Sequence, residues 1–364
     1  MSRIGLTLYA SKHMQNCSQV LKLGLFLLGL VAPSFTVAKE EYVLTTQQVA
    51  EVRKSNLSAA MAWHGSSPWI NAVSQGAKAE FNRLGIDVVA ITEAHYDPAK
   101  QVSDLETLKM LNPDILLSLS VDSLSTKPSY LQVVDAGAKL VLLSNPISGF
   151  RHGVDFAGIV RDDVDGMGKA AAQLLVDAIS AKGKVGMIYH EADYPITNQR
   201  DAAFRKALSG YSEVKIVSEK GFIKKNQTAQ LTAAMLIQNP HLDAIYVSWD
   251  AAAEGVIEAL RIGGYRHIKV ITHDLGVNNL IDMALGGNMF GTVSDRPNEM
   301  GKLMARIGAG AAIGLKTPLY TQVNFNIVTR DNITASWQVA FASELPALLK
   351  QVLLQSERNK VPKL

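Results

Sequence analysis

From Leu57 to Val328 the chain alternates short apolar runs with longer stretches in which apolar residues recur every three or four positions. The short runs fall at 57–62, 86–91, 115–119, 140–143 and 154–160, then at 185–189, 214–217, 244–247, 268–272, 289–294 and 323–328. Between the first two, 69–84 carries Ile70, Val73, Ala77, Phe81 and Leu84, the spacing of one buried helical face. Asp97-Pro98 predicts a helix start running to Leu111, because Asp caps free amides and Pro fits the first turn. Asp162 is placed as the cap of a helix that turns Val164, Met167, Ala171, Leu174 and Ala178 inward. Further helices are expected over 128–136, 197–208, 228–238, 251–262, 277–285 and 297–313. Ser343 as cap and Pro346 in the first turn mark a last helix to Leu354.

Strands that are apolar nearly throughout are buried on both faces, which predicts α/β architecture with parallel sheets between helices. There are more strands than one sheet ordinarily holds, so two doubly wound lobes are expected. A local echo supports two similar halves: Asn112-Pro113-Asp114-Ile115 and Asn239-Pro240 through Asp243-Ala244-Ile245 each close a helix and launch a strand. The expected division is a leader over 1–38 and an extension over 39–55. The first lobe takes 56–161 with 296–322, the second 162–295 with 323–340, and 341–364 is a tail. The runs at 154–160, 289–294 and 323–328 are the candidate crossings between lobes, so the cleft can hinge.

The stretch from Val270 to Pro297 carries the candidate chemistry. A strand, helix, strand unit of this length makes its two strands parallel. Asp274 then follows one strand and Asp295 the next, at the carboxyl edge where open α/β sheets bind ligands.

Composition adds a compartment. The chain has 364 residues, 48% hydrophobic and 19% charged. Its one long apolar run, Leu23 to Val37, follows Lys22 and ends at Ala38, the pattern of a cleaved secretory leader. Met14 would leave a more compact basic region before that run than Met1 does. Cleavage after Ala38 takes Arg3, Lys12 and Lys22 from 36 basic residues and nothing from 33 acidic ones, leaving a neutral exported chain. The sequence pI of 8.7 therefore gives no indication of nucleic acid. The single cysteine, Cys17, leaves with the leader, so no disulfide and no lipid-anchored cysteine are expected, and a periplasmic location is.

Trp63, Trp69 and Trp249 occupy strand-to-helix junctions, and aromatic faces beside polar groups suit a sugar ring. Asp250, Asp274, Asp295, Asn145 and Arg200 supply the polar groups at strand ends or helix starts, where each Asp is equally readable as a plain helix cap. His64, His190 and His273 also fall at strand ends. The histidines show no HExxH spacing, GxSxG and Gly-rich phosphate loops are absent, and Gly263-Gly264 and Gly286-Gly287 read as helix stops. No metal or cofactor is expected. The acid pair leaves glycosidase chemistry open, because its separation decides that reading and sequence does not give it.

The order of these residues resembles the type I periplasmic binding proteins of ABC transporters, in the ribose-binding group, over about Leu57 to Val328. The resemblance rests on Ser66-Ser67-Pro68-Trp69 with its helix, NQRDAAF at 198–204, NPHLDAIYVSWD at 239–250, VITHDLG at 270–276 and GTVSDRPNEMG at 291–301. It implies two doubly wound lobes joined by three hinge strands. It also implies that Trp69 stacks on ligand, that Ser67 bonds it, and that Arg200 holds ring or hydroxyl oxygens. Asp274 would take a pair of hydroxyls, and Asp295 would bond from the hinge. There are three departures, of which the loss of one Arg and the gain of Trp249 argue against ribose itself. Ser144-Asn145 stands where ribose binders carry Asp-Arg, Trp249 where they carry Asn before Asp250, and Asp295 where they carry a hinge Gln.

The expectation is a monomeric periplasmic receptor that binds a small sugar, amino sugar or polyol and delivers it to an inner-membrane ABC permease. A sensor acting on a chemoreceptor or sensor kinase, and a carbohydrate hydrolase using Asp274 and Asp295, are the rivals. A repressor with the same lobes is disfavoured, since the leader stands where a DNA-binding helix would be.

Overall fold

A computed structural model describes residues 42–192 and 194–360. The leader expected over 1–38 lies outside the described residues. Helix α1 (Thr46–Lys54) is held at its start by a reciprocal pair: the Gln48 amide donates to Thr45 Oγ1, and the Thr45 amide to Gln48 Oε1. It buries Val52, and Leu44 precedes it into the same core, so the segment expected as an extension packs on the first lobe.

The first sheet uses β1 (Ser58–Trp63), β2 (Asp87–Glu93), β3 (Ile115–Ser118), β4 (Lys139–Leu143) and β5 (Gly158–Asp162), in the spatial order 5-4-3-1-2. Helices α2 (Pro68–Leu84), α3 (Pro98–Leu111) and α4 (Lys127–Asp135) connect them. The second lobe opens with α5 (Val164–Ala178), then β6 (Gly183–His190), α6 (Pro195–Leu208), β7 (Val214–Phe222), α7 (Thr228–Gln238) and β8 (Ala244–Val247). It continues with α8 (Asp250–Gly263), β9 (Lys269–His273), α9 (Val277–Ala284) and β10 (Met289–Ser294), in the order 10-9-8-6-7. Helix α10 (Pro297–Ala312) returns to the first sheet, packing on α2 and on β3, β4 and β5. Strand β11 (Tyr320–Val323) then pairs parallel with β5, and β12 (Asn326–Thr329) pairs antiparallel with β10. The chain closes with α11 (Ile333–Phe341) and α12 (Ala347–Lys360).

Two doubly wound lobes are therefore joined by three short crossings, after Asp162, after Ser294 and after Val323. Apolar residues fill both faces of both sheets, as the continuous runs predict. Strands β3 and β8 are buried throughout. The outermost strands β2 and β7 alternate instead, leaving Val89 and Val217 exposed, because an edge strand lacks a neighbour on one side.

Asp97 caps α3 by accepting from the Ala99 amide at 2.9 Å, with Pro98 behind it as expected. Gly264 ends α8 in the left-handed region at φ 75°, which confirms the Gly-Gly stop. Other boundaries move. The run expected as one strand over 323–328 is two strands in different sheets, broken at Asn324-Phe325 where the chain crosses. Asp163 caps α5, accepting from the Gly166 amide at 3.1 Å, so Asp162 is not the cap. Ser343 does not open the last helix, which starts at Ala347, and α11 precedes it. Trp337, in the expected tail, is buried on α11 with its Nε1 donating to the Glu344 carbonyl. Leu349 and Val352 of α12 reach the second-lobe core, so apolar burial docks the end of the chain.

Candidate ligand-binding cleft

Parallel strands within a lobe end on one edge, and the side chains just past those ends define the cleft. The same backbone device marks the fourth strand of each lobe. Ser144 follows β4 with φ 58° and donates its amide to Val160 O at 2.7 Å; Asp274 follows β9 with φ 69° and donates to Val293 O at 3.0 Å. A non-glycine residue held left-handed costs roughly 1–3 kcal/mol, a strain that clusters at binding sites. At Asp274 it is pinned further by Thr292, whose Oγ1 donates to the carbonyls of Thr272 and Asp274 at 3.1 and 2.8 Å.

Arg200 projects from α6, which lies close on α5 because Gly168 has no side chain: a Cβ there would meet the Arg200 carbonyl oxygen. Arg200 is only 4% exposed. Its Nη2 donates to Ser248 O at 2.6 Å, its Nη1 lies 3.7 Å from Asp274 Oδ1, and its Nε has no hydrogen-bond partner. Behind it, Asp201 accepts from Tyr246 OH and Ser248 Oγ, both at 2.7 Å. Because the Tyr246 proton goes to Asp201, the 3.0 Å contact of His273 Nε2 with Tyr246 OH has the histidine as donor. Burial holds His273 well below its ordinary pKa and so neutral. This network fixes Arg200 and Ser248 in place.

Asp295 begins the second crossing, 4% exposed, and its Oδ2 accepts from the indole Nε1 of Trp69 at 2.6 Å. The first turn of a first-lobe helix is thereby tied to a crossing strand. Asn145, just past β4, leaves its buried Oδ1 without a partner. Residues 59–316 match the profile of the periplasmic binding protein domain. The chain belongs to the periplasmic binding protein family.

Over 265 residues this periplasmic binding protein is 20% identical to the ribose import binding protein of Salmonella typhimurium (strain LT2), covering 73% of this chain and 88% of that one. To the D-allose-binding periplasmic protein of Escherichia coli (strain K12) it is 24% identical over 277 residues, 73% of this chain and 89% of that one. An ABC transporter solute-binding protein from Agrobacterium vitis, solved with α-D-tagatopyranose bound, superposes with a TM-score of 0.69 at 19% identity. That match covers 79% of this chain and 100% of that one, and it is a likeness of fold.

Of the residues singled out in the sequence, the structure joins Trp69 to Asp295 and Arg200 to Asp274. Asp250, half-buried at the first position of α8, sits against the loop after Asp274: a Cβ on Gly276 would lie 3.0 Å from Asp250 Oδ2. Ser67 is a helix cap, its Oγ accepting from the Ile70 amide at 3.2 Å. Trp249 packs edge-on to His190 at 4.8 Å and against Phe222 at 4.7 Å, a second-lobe aromatic group at the end of β6 and β7. Trp63 is buried at the end of β1 and His64 packs edge-on to Tyr96. A cavity of about 360 Å³ opens beside His190, Asp201 and Arg205, next to this network. Another of about 480 Å³, at the amino end of β4 around His152 and Phe156, involves none of these groups.

Sequence reading missed Asp162, which is buried beside the cleft carboxyls Asp274 and Asp295. The signal was present: in Asp162-Asp163 only one acid can cap the helix, and the other is left for a different task. It also missed Asp201, within the NQRDAAF segment, and Tyr246, in the apolar AIYV strand that read as core.

The four carboxyls share one electrostatic condition. Burial raises Asp162 to about 6, with Asp274 adding to it and Arg200 opposing. Burial and then Asp274 raise Asp250 to about 7. Asp274 is raised by burial against Arg200, and Asp295 is held well above the carboxylate range by burial, Asp162 and Asp274. Groups raised in this way keep protons that the unfolded chain has released, so they favour folding at low pH. That contribution is complete below about pH 4 and is lost as pH rises through 6 and 7. The melting temperature of the unliganded protein should therefore climb between about pH 8 and about pH 5. In the double variant Asp162→Asn/Asp250→Asn, fixed neutral, calorimetric scans should show a flatter profile; an unchanged slope would place the effect elsewhere.

Proposed function

We propose that this chain is a periplasmic solute-binding protein that captures a small sugar or polyol between its lobes and hands it to an inner-membrane ABC permease. The observation that carries this reading is the polar cleft itself, with donors and acceptors from both lobes and two crossings converging in a protein of this family. The named specificities of the relatives, ribose and D-allose, support a polyhydroxylated ligand of similar size.

In this reading Trp69 offers a ring face and Asn145 a free acceptor from the first lobe. Arg200, Trp249, Asp250 and Asp274 act from the second lobe, Asp295 from the hinge, and Ser67 by shaping the turn that presents Trp69. Sugar hydroxyls donate to carboxylates and accept from Arg200, so one ring satisfies several buried groups at once. No covalent step is assigned. Ligand bridging the lobes binds the closed form better than the open one and shifts the hinge equilibrium, which is what a permease would read. Monomeric action in the periplasm, after removal of residues 1–38, completes the proposal.

The test is a thermal-shift panel of pentoses, hexoses, amino sugars and polyols, run on protein from a periplasmic fraction whose mass begins at Lys39. A ligand at 100 times its dissociation constant adds about 2.7 kcal/mol, a clear rise in melting temperature. No rise with any member of the panel would reject the assignment.

A further inference from the structure

The cleft gathers four carboxyl groups around one guanidinium. Asp162 ends β5, Asp250 opens α8, Asp274 follows β9 and Asp295 follows β10, so four elements deliver four carboxyls to one place. Arg200 is the positive charge that acts on all four. Glu254 adds a further negative charge at Asp250. The histidines at the strand ends do not compensate: His64, His190 and His273 are all held below the ordinary imidazole range by burial, hence neutral.

A second observation points to something missing from this balance. Asp162 is 4% exposed, and its Oδ1 has no hydrogen-bond partner. A buried carboxyl oxygen left without a donor is costly, and a bound cation is the strongest donor it can meet. Among the described residues no three His, Cys, Asp or Glu side chains converge as they do around a metal ion. Four carboxyls facing one guanidinium suit an organic ligand with one charged nitrogen and several hydroxyls.

Resting on the sugar-receptor reading above, we propose that the ligand is a cationic polyol, an amino or imino sugar, whose ammonium group is received by Asp162 within the carboxyl cluster. Arg200 then serves the hydroxyl side of the same ring. The preference for a cation follows from Coulomb attraction in a site where water is largely excluded.

The test uses matched pairs in titration calorimetry at pH 7: D-glucosamine, D-glucose and N-acetyl-D-glucosamine; the galactose set; and glucamine with sorbitol. The amine member of at least one set should bind about tenfold or more tighter than its neutral counterparts. Its binding should also release protons, read from the change in heat between buffers of different ionisation enthalpy, because a cation lowers the carboxyl pKa values. In Asp162→Asn the preference for the amine should fall toward unity, with the melting temperature reporting that the variant is folded. A neutral sugar that binds as tightly as its amine, without proton release, overturns this proposal and leaves the receptor reading intact. Amine preference retained in Asp162→Asn overturns the assignment to that residue. Failure of these probes and of every member of the thermal-shift panel overturns both readings.

Discussion

Asp274→Ala should weaken binding of the best ligand from the sugar panel by about a hundredfold or more, roughly 2.7 kcal/mol. Three losses add up there. The carboxylate no longer accepts ligand hydroxyls, each such charged hydrogen bond contributing about 1.5–3 kcal/mol. Arg200, buried and 3.7 Å away, loses the acid it faces. Alanine must also occupy φ 69°, where Asp and Asn are tolerated far better. Asp274→Asn separates these effects, since it keeps the backbone preference and removes only the charge. It should melt near the parent and still lose affinity. Calorimetry on the three proteins decides: parent-like affinity in Asp274→Ala would remove this residue from the site.

The second large effect lies away from the cleft. Helices α2 and α10 cross at backbone contact, because a Cβ on Gly76 would meet the Asn298 carbonyl oxygen and one on Gly301 the Val73 carbonyl oxygen. Gly301→Ala gains up to about 1 kcal/mol of helix propensity. Against that, the added methyl meets rigid backbone rather than a flexible side chain, and overpacking costs typically 1–3 kcal/mol. The net effect expected in urea is a lower midpoint with an unchanged slope. Because α10 starts two residues after Asp295, pushing it outward should also disturb the 2.6 Å bond to Trp69. A variant more stable than the parent would mean that the helices have room the structure does not show.

Much of the architecture was legible because its signals are local. Period-3.6 stripes gave the helices, Asp97-Pro98 and the Gly-Gly stops gave their ends, and continuous apolar runs gave the inner strands. The placement of Asp274 and Asp295 past parallel strands needed only the strand, helix, strand rule. What escaped depends on contacts between distant segments. The alternation of residues 320–329 is the same whether they form one strand or two, and the switch of sheet at Asn324-Phe325 leaves no mark in it. Helix α11 is a short apolar segment whose burial against α2 and α10 decides its form. Asp162 was concealed by its neighbour, since either acid of the pair fits a cap by pattern and only geometry shows which one bonds the Gly166 amide. Tyr246 looked like core and is core, yet its hydroxyl belongs to the network behind Arg200.

The return of α10 and β11 to the first sheet has a consequence for how the protein is made. The first-lobe core contains Met300, Leu303, Met304, Ile307 and Val323 alongside Leu57, Phe81 and Ile115. When the first 160 residues have left the ribosome, one face of their sheet is packed by α2 but still lacks α10. The first-lobe core therefore closes only after α10 and β11 have been made, so this lobe completes its folding late in synthesis.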